Sequence, residues 1–118
     1  PNIEHILSQT SSFDPIAFGF DNKEDFIDFE HNIGNVTILE KSLNSSVQNK
    51  NPIDKIDGYG RSIFSITKKL ASEIHTNKAF LKKDLIERTK VLSDYCIKRW
   101  WSDRSVESAL IVIEETDE

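Results

Sequence analysis

Three polar positions of this sequence could act together on a phosphodiester: the pair Glu4-His5, Asn35 directly after Gly34, and Asn44 further on. Hydrolysis of that bond requires an activated water, relief of charge on the phosphate and a stabilised leaving oxygen. A neutral imidazole with an ordinary pKa of about 6.5 takes a proton from water at neutral pH, which suits His5 as a general base. A hard cation such as Mg2+ takes one or two oxygen ligands from protein and keeps waters and phosphate oxygens for the rest. The Glu4 carboxylate and the Asn44 amide oxygen match that sparse set, with the cation acting on the phosphate as a Lewis acid.

These residues must be carried by elements that converge. Residues 2–7 read as a short strand. Adjacent strand residues point to opposite faces, so Glu4 and His5 share a site only where the strand ends or kinks, and the Ser/Thr-rich stretch from Ser8 supplies such an end. Residues 8–22 carry Ser, Asp-Pro and Gly and read as a loop whose Phe13, Phe18 and Phe20 tuck onto the core. Residues 23–31 form a short acidic helix capped by Asp21 or Asn22. After Gly34, residues 35–39 are a β-branched second strand. Residues 41–49 form a short helix with Leu43 and Val47 at i and i+4, and Asn51-Pro52 is a boundary. In the second half, Ile63, Ile66, Leu70 and Ile74 fall at helical spacing from Arg61 onward. Leu81, Leu85, Leu92, Cys96 and Trp100 line one side of a last helix over 82–101. Residues 105–113 are apolar without choosing between helix and strand, and the acidic end reads as a frayed tail. The order predicts an α+β fold: a small two-stranded ββα-metal core with additional packed α-helices, in one domain over 1–118, with 105–118 partly tail.

Composition bounds the rest. A chain of 118 residues with 37% hydrophobic and 30% charged residues builds one globular core. Its longest aliphatic run, Ala109 to Ile113, is far short of a bilayer span, so no membrane association is expected. The N-terminus shows no signal-peptide pattern. The chain opens on Pro1 and reads as a piece of a longer polypeptide. The single Cys96 excludes an internal disulfide and a cysteine-based zinc site, and points to the reducing cytoplasm. A net charge of −5 argues against nucleic acid, but the charge is segregated. Residues 61–104 hold eleven Lys/Arg against five Asp/Glu, whereas residues 1–60 hold four against ten. A basic helical half can attract phosphates, Lys68-Lys69 and Lys82-Lys83 included, or can be a solvated helix surface.

Taken singly these signals are weak, because an asparagine after glycine is ordinarily turn chemistry. Their order and combination say more. IEHILSQ, IGNVTIL, LNSSVQNKNPIDKIDGYGRS and FLKKDLIERTKVLSDYCIKRWW together resemble the C-terminal nuclease domain of the GmrSD family of modification-dependent restriction enzymes, over about residues 3–101. The same His, Asn, Asn order is similar to the HNH (His-Me finger) domain of RNA-guided CRISPR nucleases. The resemblance implies His5 as general base, Glu4 and Asn44 as ligands of Mg2+ (or Mn2+), and Asn35 as the residue that holds the base-bearing loop. It matches Asn49 and Lys55 to recurrent polar positions, and Arg88 to a recurrent helix arginine that contacts phosphate or makes a structural ion pair. It also implies restriction of modified phage DNA, with an N-terminal, nucleotide-using sensor domain as partner. Where the family often has proline this chain has Ser8, which alters the loop after the base and removes no catalytic group.

On this reading the catalytic residues are His5, Asn35 and Asn44, and the metal residues Glu4 and Asn44. The candidate DNA contacts are Lys50, Lys55, Arg61, Lys68, Lys69 and Arg88. The alternative is a catalytically silent DNA-binding or protein-interaction module on the same scaffold. His31 could serve as a second base but reads as a helix C-terminal residue favoured by the dipole. Trp100-Trp101 could stack on a base or fill the core. Lys55 and Tyr59, four apart, fit one helical face. No Gly-x-x-x-x-Gly-Lys loop is present for a nucleotide.

Overall fold

The computed structural model describes residues 1–8, 10, 12–99, 110, 111, 113 and 114. Its described elements are two strands and five α-helices, an α+β arrangement. Strand β1 (Asn2–His5) pairs antiparallel with β2 (Val36–Leu39), in a register that sets Glu4 opposite Thr37 and His5 opposite Val36. A two-stranded sheet is marginal by itself. Here helices sandwich it: all four residues of β2 are buried, as its unbroken β-branched run requires. The Thr37 hydroxyl bonds to that of Thr67, 2.8 Å away, so the one polar side chain in that strand is satisfied.

Helix α1 (Lys23–Phe29) starts where Asn22 Oδ1 accepts from the Asp25 N–H at 2.8 Å, with Glu24 and Asp25 in its first turn. The preceding loop folds a 3-10 turn over Pro15–Phe18, and its aromatics do reach the core: Phe20 is buried, and Phe13 meets Phe26 at a centroid distance of 4.6 Å. Helix α1 is pinned to the start of α5 (Lys82–Arg99) by Lys82 Nζ, 2.8 Å from Asp25 Oδ2. That bond, with the Asp21 N–H, holds the Asp25 carboxyl below its ordinary value. A depressed folded-state pKa contributes stability that is present above the unfolded value of about 3.9 and is lost as pH falls through the folded value. Thermal unfolding of Lys82→Ala is therefore expected below that of the wild type at pH 7, with the gap closing in acid below about pH 3.9. A gap independent of pH would remove the ion pair as its cause.

Helix α2 (Lys41–Val47) follows β2 and packs on β1 and on α3. Helix α3 (Pro52–Gly60) lies in a stretch for which periodicity predicted no separate element; Asn51-Pro52 is its entry, with proline at the first helical position. Helix α4 (Ser65–Asn77) begins four residues later than expected. The chain before it is held otherwise, with Ser62 Oγ donating to Glu40 Oε1 at 2.6 Å and Ile63 left 75% exposed.

Two apolar clusters result. One joins Ile6, Leu7, Phe26, Leu39, Tyr59 and Leu85 among others; the second joins Val36, Ile38, Ile66 and Leu92 with Leu110 and Ile113. Residues 110, 111, 113 and 114 are helical, which resolves the helix-or-strand choice at those positions. Glu114 receives the Ser65 and Ile66 N–H groups at 2.6 Å each, a carboxylate on the positive end of α4. Leu110 and Ile113 thus belong to the core, and Glu114, the first residue of the acidic end, caps α4. Trp100-Trp101 lies outside the described residues.

Candidate active site

The loop that leaves β1 is built around Asn35, which is fully buried. Its Oδ1 accepts from the Leu7 N–H at 2.9 Å, and its Nδ2 donates to Leu7 O and Glu30 O at 2.8 Å each. Backbone bonds from Ile6 N to Asn35 O and from Asn35 N to Asn32 O complete the knot. A side-chain amide can replace a backbone partner in this way where the chain turns out of a sheet. The turn carrying Asn35 is itself held against α5. A Cβ on Gly34 would lie 2.2 Å from both Leu85 O and Thr89 Oγ1, so only glycine allows this approach. The Gly34 N–H donates to Thr89 Oγ1 at 3.0 Å.

Arg88 completes that contact, which corrects one expectation. Its guanidinium does not face solvent: Nη1 donates to Val36 O at 2.7 Å and Gly34 O at 3.1 Å, and Nη2 is buried without a partner among the described residues. Burial lowers its pKa to about 10, against the opposing pull of Glu73. Its role here is a clamp on carbonyls rather than the phosphate contact considered from the sequence, with the Glu73 carboxylate acting on it electrostatically.

Lys55 is corrected for the same reason. It is fully buried on α3, and its ammonium gives its three protons to Glu4 Oε2 at 2.8 Å, His5 O at 2.7 Å and Ile6 O at 3.1 Å. Tyr59, one turn on, donates its hydroxyl to the same Glu4 oxygen. Lys55 and Tyr59 do share one helical face, directed at Glu4. Burial draws the Lys55 pKa down, against the Glu4 carboxylate, and burial pushes the Tyr59 pKa well above its ordinary value. The carbonyls of His5 and Ile6 are thus spent on Lys55, which gives the physical reason that the strand ends at His5. Glu4 and His5 accordingly look to different neighbours, Glu4 to α3 and His5 to the end of α1.

His5 is half-buried, and its Nε2 lies 3.0 Å from Nδ1 of His31. Its pKa lies below the ordinary value through burial first and His31 second, with Glu30 and Glu4 opposing. His31 is the residue whose contact with His5 was missed from the sequence, where it was weighed as a second base and read as a helix end. Asn44 is half-buried on α2, and its side-chain amide makes no hydrogen bond among the described residues. Of the other expected DNA contacts, Lys50, Arg61, Lys68 and Lys69 are exposed, with Arg61 3.5 Å from Asp57. Asn49 takes a left-handed conformation, φ 64°, after α2. Cys96 is half-buried, and burial raises its thiol pKa, which suits an inert side chain.

The oxygen donors can be weighed against a metal. Among the described residues no group of three or more His, Cys, Asp or Glu could enclose an ion. Glu4 Oε2 takes the bonds from both Lys55 and Tyr59, so Oε1 is the carboxylate oxygen without them, and the Asn44 amide makes no side-chain hydrogen bond among the described residues. A carboxylate oriented by donors on its other oxygen is the usual support of a ligand.

A short antiparallel pair followed by a helix, with a histidine at the strand end and a buried asparagine fixing its loop, makes this a small α+β domain. The sequence model for the C-terminal domain of GmrSD restriction endonucleases matches residues 1–94, and the chain belongs to that family. No curated protein and no solved structure shows significant similarity to the chain. Membership makes it a restriction endonuclease domain, with DNA as the implied substrate class. No helix among the described residues is long and apolar enough to cross a membrane.

Proposed function

We propose that this domain is an HNH-type, metal-dependent endonuclease that hydrolyses DNA in the restriction of modified phage genomes, acting in the cytoplasm. The observation that carries the reading is the Asn35 knot. It holds the loop leaving His5 with two side-chain bonds to Leu7, and a third ties it to Glu30, an arrangement that gives a general base constant geometry. His5 takes a proton from the attacking water. Glu4 Oε1 and the Asn44 amide oxygen are the groups that would hold Mg2+ or Mn2+, which neutralises charge on the phosphate and the leaving oxygen when bound. Lys50, Arg61, Lys68 and Lys69 hold the DNA backbone by charge. An N-terminal sensor domain that uses a nucleotide supplies recognition of the modification.

The Lys55 ammonium beside Glu4 opposes a second cation, so metal affinity depends on the phosphate that DNA brings. Cleavage of supercoiled plasmid is expected to stop in EDTA and return with Mg2+ or Mn2+. Asn44→Ala should need about 10-fold more metal for half its maximal rate. Cleavage that persists in EDTA would sink the metal role. Metal-independent DNA binding without cleavage, by the full-length protein as well, would favour the silent module.

A further inference from the structure

His31 has no part in the mechanism above, yet it makes the one side-chain hydrogen bond to His5 among the described residues. The two rings meet edge to face, with centroids 5.1 Å apart and planes at 75°. The His31 side chain is 76% exposed, but its backbone is tethered on both sides. Glu30 O accepts from Asn35 Nδ2, and Asn32 O accepts from Asn35 N. Asn35 therefore holds both the loop that leaves His5 and the segment that bears His31, so the contact is a product of the fold rather than of a wandering surface ring.

We infer that His31 is a positioning residue for His5: it accepts the hydrogen bond from His5 Nε2–H and so fixes the tautomer in which His5 Nδ1 presents its lone pair to water. This rests on the reading of His5 as the general base.

Glu30 favours one direction of the bond. A neutral imidazole carries one N–H. The Glu30 carboxylate lies 3.9 Å from His31 Nε2 and favours the proton on that nitrogen. With the proton there, His31 Nδ1 is a bare acceptor and His5 Nε2 the donor, one of the two directions that the 3.0 Å contact allows. His5 Nδ1 is left with the lone pair and meets no hydrogen-bond partner among the described residues. When Nδ1 takes the proton of water, His5 becomes an imidazolium, and its Nε2–H bond to His31 gains the strength of a charge-assisted bond. The contact is thus stronger after proton transfer than before it, so its loss falls on kcat rather than on KM.

Three proteins test this: the wild type, His31→Leu, and His31→Asn, whose amide oxygen can replace Nδ1 as acceptor. Nitrogen NMR of the His5 ring is expected to show the Nε2–H tautomer in the wild type and His31→Asn, and a mixture in His31→Leu. Plasmid cleavage by His31→Leu is expected to lose roughly 10- to 100-fold in kcat at little change in KM, part of what a general base supplies, and His31→Asn to recover most of it. Because the side chain is exposed, the melting temperatures should agree. An unchanged His5 tautomer in His31→Leu, or wild-type kcat in that variant, overturns the inference. Full cleavage by His5→Ala would instead remove the base assignment beneath it, and the NMR comparison does not depend on cleavage at all.

Discussion

Lys55→Met is expected to destabilise the domain by about 3–5 kcal/mol, the range for removing one partner of a buried ion pair. The substitution retains much of the apolar stem of the side chain and removes the ammonium. Glu4 would keep only Tyr59 as donor, and the carbonyls of His5 and Ile6 would lose the acceptor role that ends β1. Each of those oxygens sits where water has little access, and an unsatisfied buried acceptor carries a desolvation penalty of about 1–3 kcal/mol. Set against a total stability of about 5–15 kcal/mol, the loss is a large share, visible as a fall in melting temperature or in urea midpoint. The companion variant Glu4→Gln/Lys55→Met removes both charges and should recover part of the loss, since no unpaired charge remains buried. The DNA-contact role predicts something else: unchanged stability, weaker binding and a salt dependence shallower by about one phosphate. Unchanged melting with a shallower salt slope would therefore return Lys55 to the DNA face.

Why Lys55 and Arg88 were misassigned from the sequence is a matter of distance along the chain. A lysine flanked by Asp54 and Asp57 has the composition of an exposed helix, and nothing local marks it as buried. Its partner Glu4 is 51 residues away, and the carbonyls held by Arg88 are 52–55 residues away. The same holds for His31, whose contact with His5 spans 26 residues. The elements that local pattern does determine were legible. The β-branched run marked β2, the Asp21-Asn22 pair marked the start of α1, where Asn22 proves to be the cap, and the Leu81, Leu85, Leu92 spacing marked α5. Helix α3 was not legible, because Asp54, Asp57, Gly58 and Gly60 are poor helix formers and tertiary contacts override them. Gly58 shows how: a Cβ there would stand 2.2 Å from Val47 Cγ1, so glycine is what lets α3 close on α2. The role of Asn35 in holding the loop after His5 was legible only through the resemblance, and the structure supplies the hydrogen bonds that carry it.

The second large effect concerns His5, on which the catalytic reading stands. A positioned general base contributes about 10²–10⁴-fold to a hydrolysis, and among the described residues no histidine or cysteine other than His31 is in contact with His5. His31 is the nearest candidate, but its Nδ1 is engaged with His5 and its ring lies on the solvent side of the pair. His5→Ala removes a half-buried ring at the edge of the sheet and leaves Asn35, Glu4 and Lys55 with their own bonds intact, so the fold should persist while the chemistry fails. Circular dichroism and melting temperature establish the first part. The direct measurement is the rate of supercoiled plasmid cleavage in Mg2+ or Mn2+ by the wild type and by His5→Ala, in the full-length protein if the isolated domain needs its partner. A loss of about 10²–10⁴-fold in the variant, with folding and DNA binding retained, is the result predicted here. Cleavage by His5→Ala at the wild-type rate would contradict the assignment of His5 as the base.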